Sequence, residues 1–257
     1  MMFAYEFMRN AMLASTFIAI TTGVVGVFVV SRKLSFLAHT LSEIGFAGAA
    51  FAVVMGISPL YGMLLFTLLG AVGVGGLSQR SEQKESSISA ISAIFIGLGI
   101  LFLSLSGSTS KSATNILFGS IIGVDQTGVK ILVALSIVVI LVLTIFYRGI
   151  SFTSFDLVGA RAHGLNTSLL SVIFLLLLAT SVSVGSQIVG SMLVFSLLTL
   201  PASSAQYLGK SISEMMIWSV FFAIFGVWMG LYLGYLTNLP VTFFISTIEV
   251  VIYLVVY

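Results

Sequence analysis

Long apolar stretches alternate with brief polar breaks along this whole chain, and most of the stretches are as long as a membrane crossing. Apolar runs fall at about 9–31, 36–56, 59–78, 87–107, 129–148, 165–185, 187–207, 213–235 and 240–257. A helix needs roughly 17–25 apolar residues to cross the hydrocarbon, so each run predicts a spanning helix. A shorter run, about 113–123, predicts a half-helix or a re-entrant segment. Neighbouring runs can merge or break differently, so the pattern predicts an all-α polytopic transmembrane helical bundle of about eight to ten membrane segments. Several connections are very short, which suits a compact bundle.

Basic residues orient the bundle, because they concentrate on the cytoplasmic side of membrane proteins. Arg32 and Lys33 follow the first run, Arg80 and Lys84 sit in the polar loop 78–87, Arg148 and Arg161 flank the polar segment 149–163, and Lys210 follows the seventh long run. With these in the cytoplasm, the N-terminus is predicted outside and the C-terminus inside. Arg9, Lys111 and Lys130 remain on the other face.

Composition supports the membrane reading. The chain is 59% hydrophobic and 7% charged, with a mean hydropathy of +1.21; a soluble domain is nearer 25% charged. Unbroken apolar runs argue against a transmembrane β-barrel, whose strands alternate over short segments. With no cysteine there is neither a disulfide framework nor a thiolate metal site. The stretch Met1–Glu6 has no basic n-region, so no cleavable signal is expected. The net charge of +2 gives no reason to expect a nucleic-acid partner.

Ser35-Phe36-Leu37-Ala38-His39-Thr40-Leu41-Ser42-Glu43-Ile44-Gly45 places an imidazole and a carboxylate four residues apart in an otherwise apolar run. Four residues make about one helical turn, so both side chains share a face. A carboxylate at membrane depth costs several kcal/mol, about +2.5 to +3.5 on insertion scales, unless it is paired or wetted. Imidazole and carboxylate together also suit a divalent transition metal. His39 and Glu43 are therefore expected to line a metal path, with further ligands from other helices. The plainer alternative is a polar pair that hydrogen-bonds within the bundle and fixes helix register.

Other polar groups are less specific. Glu249 lies in the last run and can face either the bundle or a membrane interface, Glu6 is expected at an interface, and Asp125 reads as a turn residue. Gln187 stands beside Gly185 and Ser186, where two long runs meet, and Pro201 falls inside a run where it should kink the helix. Both are candidates for path or hinge, since transporters place substrate sites at broken helices. Gly23, Gly26, Gly45, Gly48, Gly226 and Gly230 predict close helix contacts. The segment 152–163 predicts a short cytoplasmic helix capped by Ser154 or Asp156. There Phe155, Leu157 and Val158 offer an apolar contact beside Asp156 and Arg161, suited to docking a soluble partner.

Taken together these stretches resemble the permease subunits of bacterial ABC importers for manganese, zinc or iron(II), almost end to end. The carriers are Tyr5-Glu6-Phe7-Met8-Arg9-Asn10-Ala11, Ser35-Phe36-Leu37 with its polar helix, and Leu117-Phe118-Gly119-Ser120. Phe155-Asp156 through Ala160-Arg161-Ala162 and Gly164-Leu165 continues the resemblance, as does Val189-Gly190 through Leu197-Leu198 and Pro201-Ala202. Many members carry Asp and then His where this chain has His39 and then Glu43, so the same two chemical types stand in swapped order. Leu157-Val158 also replaces residues that are commonly acidic.

The resemblance implies one permease domain over 1–257, with a cytoplasmic coupling segment at 152–163, in the bacterial plasma membrane. It implies a homodimeric or pseudo-dimeric pore, a separate cytoplasmic ATP-binding ABC subunit coupled through Phe155, Asp156 and Arg161, and an extracellular metal-binding lipoprotein. The metal is substrate, and no permanent cofactor is expected. No Gly-x-x-x-x-Gly-Lys-Ser/Thr loop occurs in the chain, so it is not expected to hydrolyse ATP itself. Two rivals follow from the same residues: a proton-coupled secondary metal transporter with His39 and Glu43 as relay, and a purely structural membrane protein.

Overall fold

The structure is a computed structural model that describes residues 6–78, 84–107, 116–119, 126–191 and 193–257. Tyr5, Arg80, Lys111, Ser120 and Asp125, and the 113–123 segment apart from 116–119, lie outside the described residues.

Among the described residues, each of the nine long apolar runs is mostly helical. The elements are α1 (Glu6–Ser31), α2 (Ser35–Val54), α3 (Pro59–Ser78), α4 (Lys84–Leu105), α5 (Gln126–Phe155), α6 (Leu157–Ala162), α7 (Thr167–Val189), α8 (Val194–Leu208), α9 (Ile212–Thr237) and α10 (Val241–Val256). Of these, α1, α2, α4, α5, α7 and α9 are long and apolar enough to cross a membrane, while α3 and α10 include shorter apolar helices at Pro59–Gly73 and Val241–Val256. Local chemistry sets several ends. Pro59 opens α3, where its missing N–H costs nothing. Ser211 Oγ accepts from Glu214 N at 3.2 Å, while the Glu214 carboxylate accepts from Lys210 N at 2.8 Å, which fixes the start of α9. Asn238 closes α9 in the left-handed region at φ 55°.

Two boundaries differ from those read off the sequence. The apolar runs 165–185 and 187–207 suggested a break beside Gln187. Instead α7 runs through Gly185 and Ser186 to Val189, and the chain turns at Gly190, where φ is +87°. Ser186 does not interrupt the helix because its hydroxyl donates to the Val182 carbonyl one turn back, at 2.7 Å. The segment 152–163 was expected as one short helix. Its first residues are instead the last turn of α5, and only Leu157–Ala162 forms a separate helix. Asp156 makes the division. Its side chain accepts the Gly159 N–H at 2.7 Å and caps α6, whereas Ser154 donates to the Ile150 carbonyl at 2.5 Å and continues α5.

α1 is the central post. It packs on α5, α7, α8 and α9, with α2, α3 and α4 forming a second group joined to it through α7 and α8. Phe28 of α1 meets Phe174 of α7 edge-on at 6.2 Å between centroids, at the centre of the larger apolar cluster. Backbones touch at small residues. A Cβ on Gly26 would overlap the Leu198 carbonyl oxygen of α8, and Gly48 of α2 and Gly62 of α3 are each blocked by the other's carbonyl oxygen. In lipid, such close approach supplies the packing that water-driven association cannot. Outward faces of α4, α5 and α9 carry apolar side chains such as Ile94, Val138 and Phe225, as a hydrocarbon solvent requires.

Glu249 faces the bundle and not an interface. It is 0% exposed, its carboxylate is pressed on Gly226 of α9, and neither oxygen has a hydrogen-bond partner among the described residues. Replacing a buried, unsatisfied polar group by an apolar one of similar shape removes a desolvation cost. Glu249→Met is therefore expected to raise stability by roughly 1–3 kcal/mol, read as a higher Tm of the purified protein.

Candidate functional site

His39 and Glu43 stand one and two turns into α2, counted from the end that carries Arg32. The helical spacing puts them on one face, with His39 Nε2 3.4 Å from Glu43 Oε1. The second Glu43 oxygen, Oε2, accepts a hydrogen bond from the Ser92 hydroxyl of α4. Ser92 thus fixes the carboxylate's rotation and leaves Oε1 toward the imidazole. The ring of Phe195, at the start of α8, meets the His39 ring edge-on at 5.3 Å and supports its outer side.

Both members of the pair border a cavity of about 130 Å³, closed by Phe46, Ile96, Ile100, Leu117 and Ser191. Among the described residues its wall is apolar except for His39, Glu43 and Ser191. The imidazole is 44% exposed and the carboxylate 18%, so the pair is partly open to its surroundings. Among the described residues no cluster of three or more His, Cys, Asp or Glu side chains occurs. Here the described residues bring together one imidazole, one carboxylate and hydroxyls.

The cavity joins three stretches that looked separate in the sequence. Gly190 adopts φ +87°, conformational space open in practice only to glycine. A Cβ there would overlap the Leu117 carbonyl oxygen and the Gly119 amide. The close approach lets Ser191 N donate to the Ile116 carbonyl at 3.2 Å. Segment 116–119 is thereby pinned to the α7–α8 turn, and Leu117 and Ser191 reach the wall opposite His39 and Glu43.

Other expected site residues lie elsewhere. Gln187 occupies the last turn of α7, where its amide donates to Met63 Sδ at 3.6 Å, and it does not line this cavity. Pro201 is buried inside α8, three residues beyond the Leu198 carbonyl that abuts Gly26. Phe155 and Asp156 form an exposed corner after α5 with Leu157 and Val158, whose exposures are 62% for Phe155 and 79% for Val158. Arg161 Nε donates to Thr167 Oγ1 at 3.3 Å, tying α6 to the start of α7. Sequence reasoning missed Ser92 and Ser191. Ser92 sits inside an apolar run with nothing local to mark it, whereas Ser191 directly follows the Val189-Gly190 pair that the resemblance had singled out.

A polytopic helical transport protein, with an ionisable pair turned into a cavity between its helices, is the class this fold and site define. The chain belongs to the ABC 3 transport family, whose model matches residues 4–257. It is 31% identical over 237 residues to the manganese transport system membrane protein MntC of Listeria monocytogenes, covering 91% of this chain and 84% of that one. It is 26% identical over 245 residues to the high-affinity zinc uptake system membrane protein ZnuB of Buchnera aphidicola, covering 93% of this chain and 94% of that one. Among solved structures, PsaBC from Streptococcus pneumoniae in complex with Fab superposes with a TM-score of 0.89 at 26% identity, over 98% of this chain and 91% of that one. The chain is a multi-pass protein of the bacterial plasma membrane.

Proposed function

We propose that this chain is the permease subunit of an ATP-driven importer of a divalent transition metal, and that residues 1–257 act as one permease domain. The observation that carries the reading is the His39–Glu43 pair, held by Ser92 toward a cavity in a transport-family chain. The relatives named for manganese transport and zinc uptake point to the same class of cargo. Imidazole and carboxylate serve manganese, zinc and iron(II) alike.

A site of two strong ligands is incomplete for such a metal, since zinc is held by four groups and manganese by more. A second copy of the chain, related by a two-fold axis, supplies a second imidazole and carboxylate if the exposed side of His39 faces that axis. The homodimer is thus part of the proposal and not an addition to it. In this reading the basic end is cytoplasmic and the C-terminus lies there. An ATP-binding subunit docks on the exposed corner at Phe155, Leu157 and Val158, with Asp156 holding α6 in place and Arg161 tying it to α7. An external metal-binding lipoprotein delivers the ion. Closure of the ATPase pair on ATP moves the 152–163 segments and reopens the His39/Glu43 path to the other side.

The test is uptake into proteoliposomes. The permease assembled with its ATPase and supplied with the metal-loaded lipoprotein is expected to accumulate labelled manganese or zinc only when ATP is present on the ATPase side, and the permease alone is expected to take up none. Uptake by the permease alone, following a proton gradient, would establish the secondary-transporter reading instead.

A further inference from the structure

Arg32 marks the basic end in the sequence, but in the fold it is a half-buried structural cation with no carboxylate partner among the described residues. Its Nε donates to Ser154 Oγ at 2.7 Å, and its Nη2 donates to the Ile150 carbonyl at 2.9 Å and to Thr153 Oγ1 at 2.8 Å. The guanidinium carbon sits 4.5 Å from the centre of the Phe174 ring. Burial pushes Arg32 down to about 10, still a cation at neutral pH. Every one of these partners is neutral.

Arg32 borders a cavity of about 560 Å³ enclosed by the end of α1, the start of α2, the end of α5, α6 and the start of α7. Lys33 and Arg161 line it too, and among the described residues no carboxylate does. Asp156, the acid nearest in sequence, is engaged as the cap of α6. Three positive charges therefore share a cleft bordered by hydroxyls, with no counter-charge among the described residues. Its inner wall is apolar, formed by Leu37, Phe174 and Leu175.

The level of this cavity in the bilayer can be read from α1 and α5. These helices run side by side, joined at one end by a hydrogen bond between Gln126 and Glu6 and at the other by Arg32 with Thr153 and Ser154. The 26 residues of α1 set the two ends about 39 Å apart. That separation exceeds the hydrocarbon core of about 30 Å and approaches the 40–45 Å that includes both headgroup layers. With α1 and α5 centred along the bilayer normal, the cavity falls at the depth of the lipid phosphates.

We propose that this cavity binds the phosphate headgroup of an anionic membrane lipid, with Arg32, Lys33 and Arg161 around the phosphate and the Leu37–Phe174–Leu175 wall against the glycerol and upper acyl chains. Basic pockets between membrane helices take such headgroups. The apolar inner wall favours a lipid over free phosphate, which would gain nothing from it. Which leaflet supplies the lipid follows from the orientation proposed above; the cavity's chemistry does not depend on it. A lipid seated here bridges α1, α5 and α7 to the coupling helix α6, so it would brace the docking corner.

Native mass spectrometry of the purified full chain tests this, in neutral detergent with phosphatidylglycerol and phosphatidylcholine added together. The expected result is retention of phosphatidylglycerol over phosphatidylcholine, with the preference falling about five-fold for each of Lys33→Gln and Arg161→Gln. Both side chains are exposed, so these variants should fold, Arg161→Gln giving up only its Thr167 contact, and a retained cooperative melt confirms it. Excess inorganic phosphate should not displace the lipid. Equal retention of the two lipids, a preference unchanged in the variants, or displacement by inorganic phosphate would each overturn the proposal. Variants that keep the lipid preference but lose co-purification with the ATPase would also overturn it, assigning the cluster to protein docking. No transport is measured, so failure here is distinguishable from failure of the importer reading.

Discussion

Glu43→Ala, assembled with the proposed ATPase, is expected to lose more than about 100-fold in metal uptake if Glu43 is a ligand of the cargo, because losing a ligand should exceed the 10–100-fold typical of losing an outer-shell partner. His39→Ala should do the same. Both residues sit on the partly exposed face of α2 and border the 130 Å³ cavity, so truncation removes the polar pair without removing core, and assembly with the ATPase should survive. Ser92→Ala is the graded member of the series. It leaves the carboxylate in place but removes the donor to Oε2, and a loss of about 10-fold is expected, in the range for an outer-shell partner. If His39 and Glu43 only fix helix register, the order changes. Uptake would then track stability, and a rescuing Tm shift would restore transport. Measuring uptake and Tm on the same preparations separates the two outcomes. Retained uptake in both alanine variants would remove this pair from the path.

The helices were legible because their signal is strong and local. An apolar run of membrane length has few other uses, and all nine such runs became helices among the described residues. The coarse topology followed, since Arg32, Lys33, Arg148, Arg161 and Lys210 all fall at one end of these alternating helices. Breaks were harder. Gly185-Ser186 looked like a boundary by composition, yet a serine bonded to its own previous turn keeps a helix going, while the real break at Gly190 is set by a tertiary contact with segment 116–119. The end of α5 was missed for the same reason. Thr153 and Ser154 donate to the Gly149 and Ile150 carbonyls and act as helical residues despite their polarity. At the site, the sequence exposed the pair one turn apart but not its support. Ser92 lies 49 positions from Glu43, and no local pattern encodes that contact. Glu249 shows the converse, since its acidity was obvious but its direction depended on Gly226 leaving room across α9.

Gly48→Leu is expected to be the most damaging single change outside the polar site. The contact between α2 and α3 is reciprocal: a Cβ on Gly48 meets the Gly62 carbonyl, and a Cβ on Gly62 meets the Gly48 carbonyl. Backbone oxygens cannot rotate aside as a side-chain tip can, so the helices must part. Overpacking a core typically costs 1–3 kcal/mol, and a clash against backbone at the crossing point itself should exceed about 3 kcal/mol. Against a total stability of roughly 5–15 kcal/mol, that is enough to lower the yield of folded protein sharply. The consequence reaches the site because α2 carries His39 and Glu43 and also packs on α4, which carries Ser92. Parting α2 from α3 therefore shifts both sides of the Glu43 contact. Gly62→Leu should reproduce the defect from the other helix. Gly73→Leu, also on α3 but with open space around the added Cβ, should stay within about 0.5 kcal/mol of the parent, as surface substitutions do. The monodisperse fraction after heating, measured in detergent for all three variants, decides the matter. A Gly48→Leu protein as heat-resistant as Gly73→Leu would mean that α2 and α3 do not approach through their glycines, and the placement of the His39–Glu43 pair would fall with that contact.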